Sequence, residues 1–386
     1  MNSRQPDAQR VAGRRSIRTL VPVLAGALTL GTFLVGATSM ARAATEYFNP
    51  FDVNGGFSIL AQGDVTLGNG ELEGSVAATG AINSSKQNYP VLHHVGGMAD
   101  YEVPRIDGVP VRILANEFAG VPAGEPAIEQ TNSGAVPGSP EDLASAKFVV
   151  TDNLRGSARG SNFLRVTNDD SGVLDLTKVS YSDDAIAALK TDRASVGAYF
   201  PDMDQRIAAA SQCLAGYVPG NDQVNFPTLS GDPLTLGGWA SDRPNVINYD
   251  DIEGANVVKP EGYFPTADAP LVIKFPAGTT EIGVLNFEGW SASGAQQAYA
   301  RHIILDLSDV TGTVRFGDHE MGAVWAPNAN LHFTGSRSTN GQWVSQDFTT
   351  TAGSGGELHH HTFAGLLPCG ETDETPEPSE SPAPSE

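Results

Sequence analysis

The chain has 386 residues, of which 23 are basic and 45 acidic, so its formal net charge at pH 7 is −22. A surface this acidic repels phosphate backbones and anionic lipids, which excludes nucleic acid and acidic membrane surfaces as partners. The acidity names no partner by itself, because a high net charge also keeps an exported protein soluble.

The first 43 residues have the pattern of an export signal. Five arginines precede an uncharged apolar run from Leu20 to Met40, which ends in the small-residue pattern Ala41-Arg42-Ala43. An A-x-A pattern after an apolar run is typical of a signal-peptide cleavage site. The sequence therefore predicts a signal peptide over 1–43 and an extracellular chain, either secreted or cell-wall associated. The run is also long enough to span a bilayer, so an uncleaved anchor is the alternative.

Residues 44–369 have β-rich composition, with short apolar alternations broken by turn residues. Three segments within them resemble one another, and they begin at Val65, Val314 and Phe333. The spacing of 19 residues from Gly322 to Gly341 suits one rung of a β-solenoid, in which stacked rungs share an apolar interior. We therefore predict a mainly β fold, a β-solenoid, with a β-sandwich as the alternative.

A helical segment interrupts the β pattern at about 182–216. It begins at Ser182-Asp183-Asp184 and continues with many alanines and an amphipathic spacing of apolar residues. Pro201 is expected to divide it, so that a second helix runs from about Pro201 to Ala215. We expect this flanking α-helical segment to lay its apolar side on the sheet.

The end of the chain, residues 370–386, reads GETDETPEPSESPAPSE. It consists almost wholly of Pro, Glu, Ser and Thr, which predicts a disordered tail because no apolar residue can build a core. The preceding Leu367-Pro368-Cys369-Gly370 lacks the threonine of a cell-wall sorting signal. We therefore expect any membrane attachment to need an anchor that is not present in this sequence.

The chain has two cysteines, Cys213 and Cys369. An even count in an exported chain predicts one disulfide between them. Such a bond would pin the end of the helical segment to the C-terminal rung.

Both ends of the β-rich domain resemble the choice-of-anchor A family of bacterial surface proteins. The opening FNPFDVNGGFSILAQGDVTLGNGELEGSVAATGAI starts at Phe48, and the closing stretches are GAVWAPNANLHF, NGQWVSQDF and GGELHHHTFAGLLP. The helical segment also suits this family. The resemblance implies an exported, surface-displayed module that serves as an adhesin, with no catalytic residues.

Three consecutive histidines beside a glutamate raise the question of a metal site. In a strand, Glu357, His359 and His361 share one face, while His360 lies on the other. These three residues are weak candidates for a metal site, because the family-like pattern needs only His359. We therefore predict no metal and no cofactor, a hydrogen-bonding role for His359, and incidental roles for His360 and His361.

The sequence as a whole predicts a non-catalytic module for adhesion or surface architecture, whose partner is an unidentified extracellular matrix protein or glycan. One alternative is an ice-binding protein, since these also combine a β-solenoid with a flanking helix. That function needs a regular face of small residues, and the consecutive Thr349-Thr350-Thr351 cannot share one face. Another alternative is a glycan-binding or glycan-cleaving solenoid, in which the four tryptophans would stack on sugars.

Overall fold

The computed structural model describes residues 45–92, 101–120, 128–130, 145–160, 163–170, 172–177, 179–291, 293–351 and 355–371. The predicted signal peptide and residues 372–386 of the predicted tail lie outside the described residues. Within the described part of the chain, no helix is both long enough and apolar enough to cross a bilayer.

Short strands make up most of the regular secondary structure in the described chain. In chain order they are β1 (Thr45–Phe48), β2 (Ile59–Ala61), β3 (Val65–Leu67), β4 (Leu72–Glu73), β5 (Val76–Ser84), β6 (Tyr89–Leu92), β7 (Arg105–Ile106), β8 (Val109–Phe118), β9 (Ile128–Gln130), β10 (Ser145–Phe148), β11 (Arg155–Ala158), β12 (Phe163–Thr167), β13 (Val173–Thr177), β14 (Thr228–Ser230), β15 (Leu234–Gly237), β16 (Asn245–Asn248), β17 (Val258–Lys259), β18 (Leu271–Lys274), β19 (Glu281–Ile282), β20 (Ile303–Asp306), β21 (Gly312–Phe316), β22 (Ala323–Ala326), β23 (Ala329–Phe333), β24 (Thr339–Gly341), β25 (Trp343–Ser345), β26 (Phe348–Thr350), β27 (Leu358–His360) and β28 (Leu367–Glu371).

Most of the strands stack into three mostly parallel faces, which we call A, B and C. Face A has the order β16-β18-β20-β22-β25-β2-β5-β8-β10, and face B has the order β19-β21-β23-β26-β3-β5-β8. The long strands β5 and β8 belong to both faces, because the β5–β8 register shifts between Ala78 and Ala81. Face C has the order β24-β27-β4-β6-β9-β13-β12-β11. One rung contributes a strand to each face in turn, as β22, β23 and β24 do, so the predicted β-solenoid is confirmed.

The rungs are not stacked in chain order. The last complete rung, β25-β26-β27, pairs in parallel with the N-terminal rung β2-β3-β4. We call this junction the seam. The predicted similarity between the segments at Val65 and Val314 is confirmed by register, since Val65 pairs with Phe348, which pairs with Leu331, which pairs with Val314.

Glycines lie at a corner of the rungs. Met321 forms a bridge with Asn340, which places Gly322 beside Gly341 in the stack. A Cβ atom on Gly341 would overlap the carbonyl oxygen of Gly322. Glycine is therefore required where these two rungs approach each other most closely.

Two apolar cores flank face A. The core inside the solenoid contains large aromatic side chains such as Trp343, Phe348 and Phe316, all fully buried. The second core lies between the outer side of face A and the helical segment, where Trp325 and Val344 meet Ile207 and Leu214. Face A is therefore buried on both sides.

The helices among the described residues are α1 (Asp183–Ala187), α2 (Met203–Ala215) and four 3₁₀ segments, at Pro50–Asn54, Val196–Tyr199, Tyr249–Asp251 and Gly294–His302. Helix α2 matches the predicted second helix and turns its buried side, Ile207, Ala210, Cys213 and Leu214, to face A.

The first predicted helix is shorter than expected. The backbone N–H of Phe148 donates to the carbonyl of Leu189, and the N–H of Thr191 donates to the carbonyl of Phe148. The chain after α1 thus pairs with the end of face A. Backbone pairing at an open sheet edge overrides the helix propensity of these residues.

The predicted disulfide joins Cys213, near the end of α2, to Cys369 in β28, with the two Cα atoms 5.4 Å apart. Strand β28 also pairs antiparallel with β1, so that Thr45 lies opposite Glu371. The strand therefore includes Gly370 and Glu371, the first residues of the predicted tail.

Candidate functional site

His359 lies on the outer side of face C, next to the seam. Its neighbour on β24 is Asn340, and its neighbour on β4 is Glu73. The adjacent Leu358 and Leu72 point the other way, into the solenoid core. Because side chains alternate along a strand, Asn340, His359 and Glu73 form one row across three strands.

Three potential metal ligands meet in this row. His359 Nε2 lies 3.0 Å from Glu357 Oε2 and 3.5 Å from Glu73 Oε2. One ligand atom from each residue lies within 4.8 Å of the other two. We call Glu73, Glu357 and His359 the Glu–His cluster. Glu73 and His359 are buried, whereas the Glu357 side chain is 42 % exposed, so the cluster is open to solvent on one side.

The orientation of the His359 ring is fixed by Asn340. The Nδ2 amide of Asn340 donates to the carbonyl of Glu320 over 3.3 Å, so its Oδ1 atom faces His359 Nδ1 at 2.9 Å. An amide oxygen only accepts, and Nδ1 must therefore carry the proton. The other ring nitrogen, Nε2, then faces the two carboxylates.

His360 has a structural role, so its predicted incidental role is wrong. Its Nδ1 lies 2.8 Å from the Ser58 hydroxyl and its Nε2 lies 2.9 Å from the Thr362 hydroxyl. The ring of Tyr101 packs on it with the centroids 4.2 Å apart. Burial lowers the pKa of His360 to about 3, so the ring is neutral at physiological pH.

The structure brings together two of the three predicted weak candidates, Glu357 and His359, and adds Glu73. His361 is buried, but its atoms are not among the ligand atoms that the described residues bring together. The strand β27 ends at His360, so the alternation that would place His361 beside His359 does not continue. Glu73 has no local signal in the sequence, because 286 residues separate it from His359 and only the pairing of β4 with β27 joins them.

Face B presents a second kind of candidate site, an open sheet surface. Its outer side carries a row of side chains from adjacent strands, which we call the face B row: Arg315, His332, Thr349, Thr66 and Asn83. Arg315 is exposed and the other four are half-buried. Five strands about 4.8 Å apart make this row about 20 Å long.

The charged end of the face B row has neighbours on the adjacent strands. Arg315 lies beside the exposed Glu281 in the ladder between β21 and β19, and His332 Nε2 lies 2.9 Å from the Thr351 hydroxyl. Burial and the nearby Arg315 guanidinium lower the pKa of His332. The row is thus a cation, a neutral imidazole, two hydroxyls and an amide on one plane.

The tryptophans are mostly core residues. Trp325 and Trp343 are fully buried, and Trp290 is 7 % exposed. Trp239 is 37 % exposed, and it packs on Tyr263 with the ring centroids 5.6 Å apart. Three of the four indoles are therefore closed to a sugar ligand.

Comparison with known proteins gives one family. The model of the family described as "Putative Ice-binding-like adhesive domain" matches residues 50–360. Among curated protein sequences, no relative matches this chain.

Several solved ice-binding proteins have weak similarity to the chain. One from an Antarctic biological consortium has 12% identity and a TM-score of 0.28, with 83% of this chain and 94% of that one covered. One from an Arctic yeast has 12% identity and a TM-score of 0.26, with 82% and 94% covered. The Shewanella frigidimarina ice-binding protein domain has 13% identity and a TM-score of 0.25, with 85% and 100% covered. The solenoid fold of this chain is established by its own strand pairing.

Proposed function

Because the chain belongs to the family of the ice-binding-like adhesive domain, we propose that it is a non-catalytic surface module that attaches to an extracellular macromolecule through the face B row. The observation that carries this proposal is the open outer side of face B, since face A is covered by α2. The module would act outside the cell, which suits its disulfide. The resemblance to the choice-of-anchor A family implies the same kind of role.

The chemistry of the face B row suits a polar macromolecule. The Arg315 guanidinium can donate to carboxylates or sugar hydroxyls, and the adjacent Thr66 and Thr349 supply hydroxyl groups that both donate and accept. A rigid sheet loses little conformational entropy when it binds, which favours affinity. We therefore expect a glycan or matrix protein rich in hydroxyl and amide groups, since the net charge of −22 repels strongly acidic ligands.

Ice binding is the second candidate, because the family is described as ice-binding-like. An ice-binding face needs small side chains in a regular array. The face B row instead carries the long side chains of Arg315 and His332, while Thr350 points into the core at 1 % exposure. The row therefore favours a macromolecular ligand over ice.

The proposal is tested by binding to an array of glycans and matrix proteins. The full chain should bind at least one member saturably, and Arg315→Ala should weaken that binding about fivefold or more, because the guanidinium lies within the proposed contact. Arg155→Ala is the matched control, since Arg155 is also an exposed strand arginine but lies on β11 of face C. Equal affinities for the chain and Arg315→Ala would contradict the assignment of face B.

A further inference from the structure

We propose that the Glu–His cluster binds Zn²⁺ and that the bound ion joins the N-terminal and C-terminal rungs across the seam. The site lies on face C and is independent of the ligand surface on face B. Its ligands would be Glu73 Oε2, Glu357 Oε2 and His359 Nε2.

The separations between the ligand atoms suit zinc. Ligands about 2.1 Å from a tetrahedral zinc ion lie about 3.4 Å from one another. The observed separations from His359 Nε2 are 3.0 Å to Glu357 Oε2 and 3.5 Å to Glu73 Oε2. The two carboxylate oxygens lie within 4.8 Å of each other, so movement of the glutamate side chains would complete the tetrahedral spacing.

The tautomer of His359 is the second argument. Asn340 accepts the proton on Nδ1, as zinc-binding histidines are normally held by a hydrogen bond to the other ring nitrogen. With Nδ1 held in this way, Nε2 is the ring atom that faces the two carboxylates, 3.0 Å from Glu357 Oε2 and 3.5 Å from Glu73 Oε2. A divalent cation at this point would bind all three groups at once.

The kind of ligand atom selects the metal. One imidazole nitrogen with two carboxylate oxygens is a ligand set for zinc or a related transition dication, whereas calcium and magnesium prefer oxygen ligands alone. The Glu357 side chain is 42 % exposed, so the ion can enter from solvent and keep a water molecule as its fourth ligand.

The position of the ligands gives the metal a structural consequence. Glu73 belongs to β4 of the N-terminal rung, while Glu357 and His359 lie on or beside β27 of the C-terminal rung. An ion that binds all three residues resists separation of the two rungs. Because it binds only the folded seam, it should raise the unfolding midpoint of the chain.

The experiment is a calorimetric titration of the metal-free full chain with ZnCl₂, together with thermal unfolding with and without zinc. We expect one ion per chain and a midpoint that rises by several degrees. Glu357→Gln keeps the size of the half-exposed side chain and should weaken zinc binding about tenfold or more. His332→Gln replaces a half-buried histidine on face B, on another face than the proposed zinc ligands, and is the matched control. It should leave zinc binding unchanged.

A second variant keeps the test decisive if one substitution disturbs folding. His359→Gln should also weaken binding, and circular dichroism of each variant without zinc verifies the fold. Absence of zinc binding at 100-fold excess over the chain would overturn the proposal. Binding that neither Glu357→Gln nor His359→Gln weakens would overturn it as well. Binding of the chain to its array ligand tests the proposed function separately, because Glu357 is not in the face B row.

Discussion

The histidines of this chain lie in different environments. Burial lowers the pKa of His360 to about 3 and that of His319 to about 4, so both rings are neutral in the folded protein. His359 instead faces the carboxylates of Glu73 and Glu357. The sequence pattern predicted Glu357 and His359 as candidates but not Glu73, since the alternation along a single strand says nothing about the neighbouring strand.

The buried His360 should make stability depend on pH. In the unfolded chain its pKa returns to about 6.5, so protons favour the unfolded state below that pH. The free energy of unfolding should therefore fall as the pH is lowered from about 6.5 towards 3, by up to about 1.4 kcal/mol per pH unit from His360 alone. Urea denaturation between pH 7.5 and 4.5 measures this slope.

The variant His360→Gln should have a shallower slope than the unmodified chain, because it removes the titrating group. His332→Gln is the control, as its half-buried ring has a smaller desolvation cost. If the free energy of unfolding depends on pH equally in the unmodified chain and in His360→Gln, the pKa of His360 is not lowered in the folded protein.

At the level of elements, helix α2 is the part of the fold that the sequence predicted best. Its alanines and the apolar residues Ile207, Ala210 and Leu214 form a local pattern with helical spacing. The first predicted helix was too long, because the pairing of Phe148 with Leu189 and Thr191 is a tertiary contact without a local signal. Local patterns thus predicted which element covers face A but not where its first turn ends.

The disulfide should contribute strongly to stability, because it closes a loop of 156 residues between α2 and β28. Chain-entropy arguments give about 5 kcal/mol for a loop of this length, and measured values are typically 2–4 kcal/mol. The double variant Cys213→Ala/Cys369→Ala should therefore lower the free energy of unfolding by about 2–5 kcal/mol in guanidinium denaturation.

Reduction provides the control for the disulfide. A reducing agent should lower the stability of the unmodified chain to near that of the double variant and should not affect the double variant. An unchanged midpoint for the chain under reducing conditions would contradict a stabilising role for this bond.

The whole molecule is organised around the seam, where rungs from opposite ends of the chain meet. The sequence predicted the rungs from their 19-residue spacing and from the similarity of the segments at Val65 and Val314. It did not predict that β25-β26-β27 would pair with β2-β3-β4, because parallel pairing between distant segments has no local pattern. The sequence alone therefore could not predict the whole Glu–His cluster, because only this pairing brings Glu73 beside Glu357 and His359.

The face B row depends on the seam as well. Thr349 of β26 and Thr66 of β3 are partners across it, while Arg315 and His332 lie on the C-terminal side. The sequence placed Thr349 beside two other threonines without showing which one faces solvent. The assembled sheet joins the exposed residues of both ends of the chain into one surface.

The most direct test of the adhesive role is a steric block of face B. The double variant Thr66→Tyr/Thr349→Tyr should abolish saturable binding to the glycan and matrix-protein array, and Thr228→Tyr, an exposed position on β14 outside the solenoid faces, should not. The unmodified chain should show no thermal hysteresis in freezing solutions. If the double variant binds the array as well as the unmodified chain does, face B is not the adhesive surface. If the unmodified chain shows thermal hysteresis and the double variant loses it, face B binds ice instead.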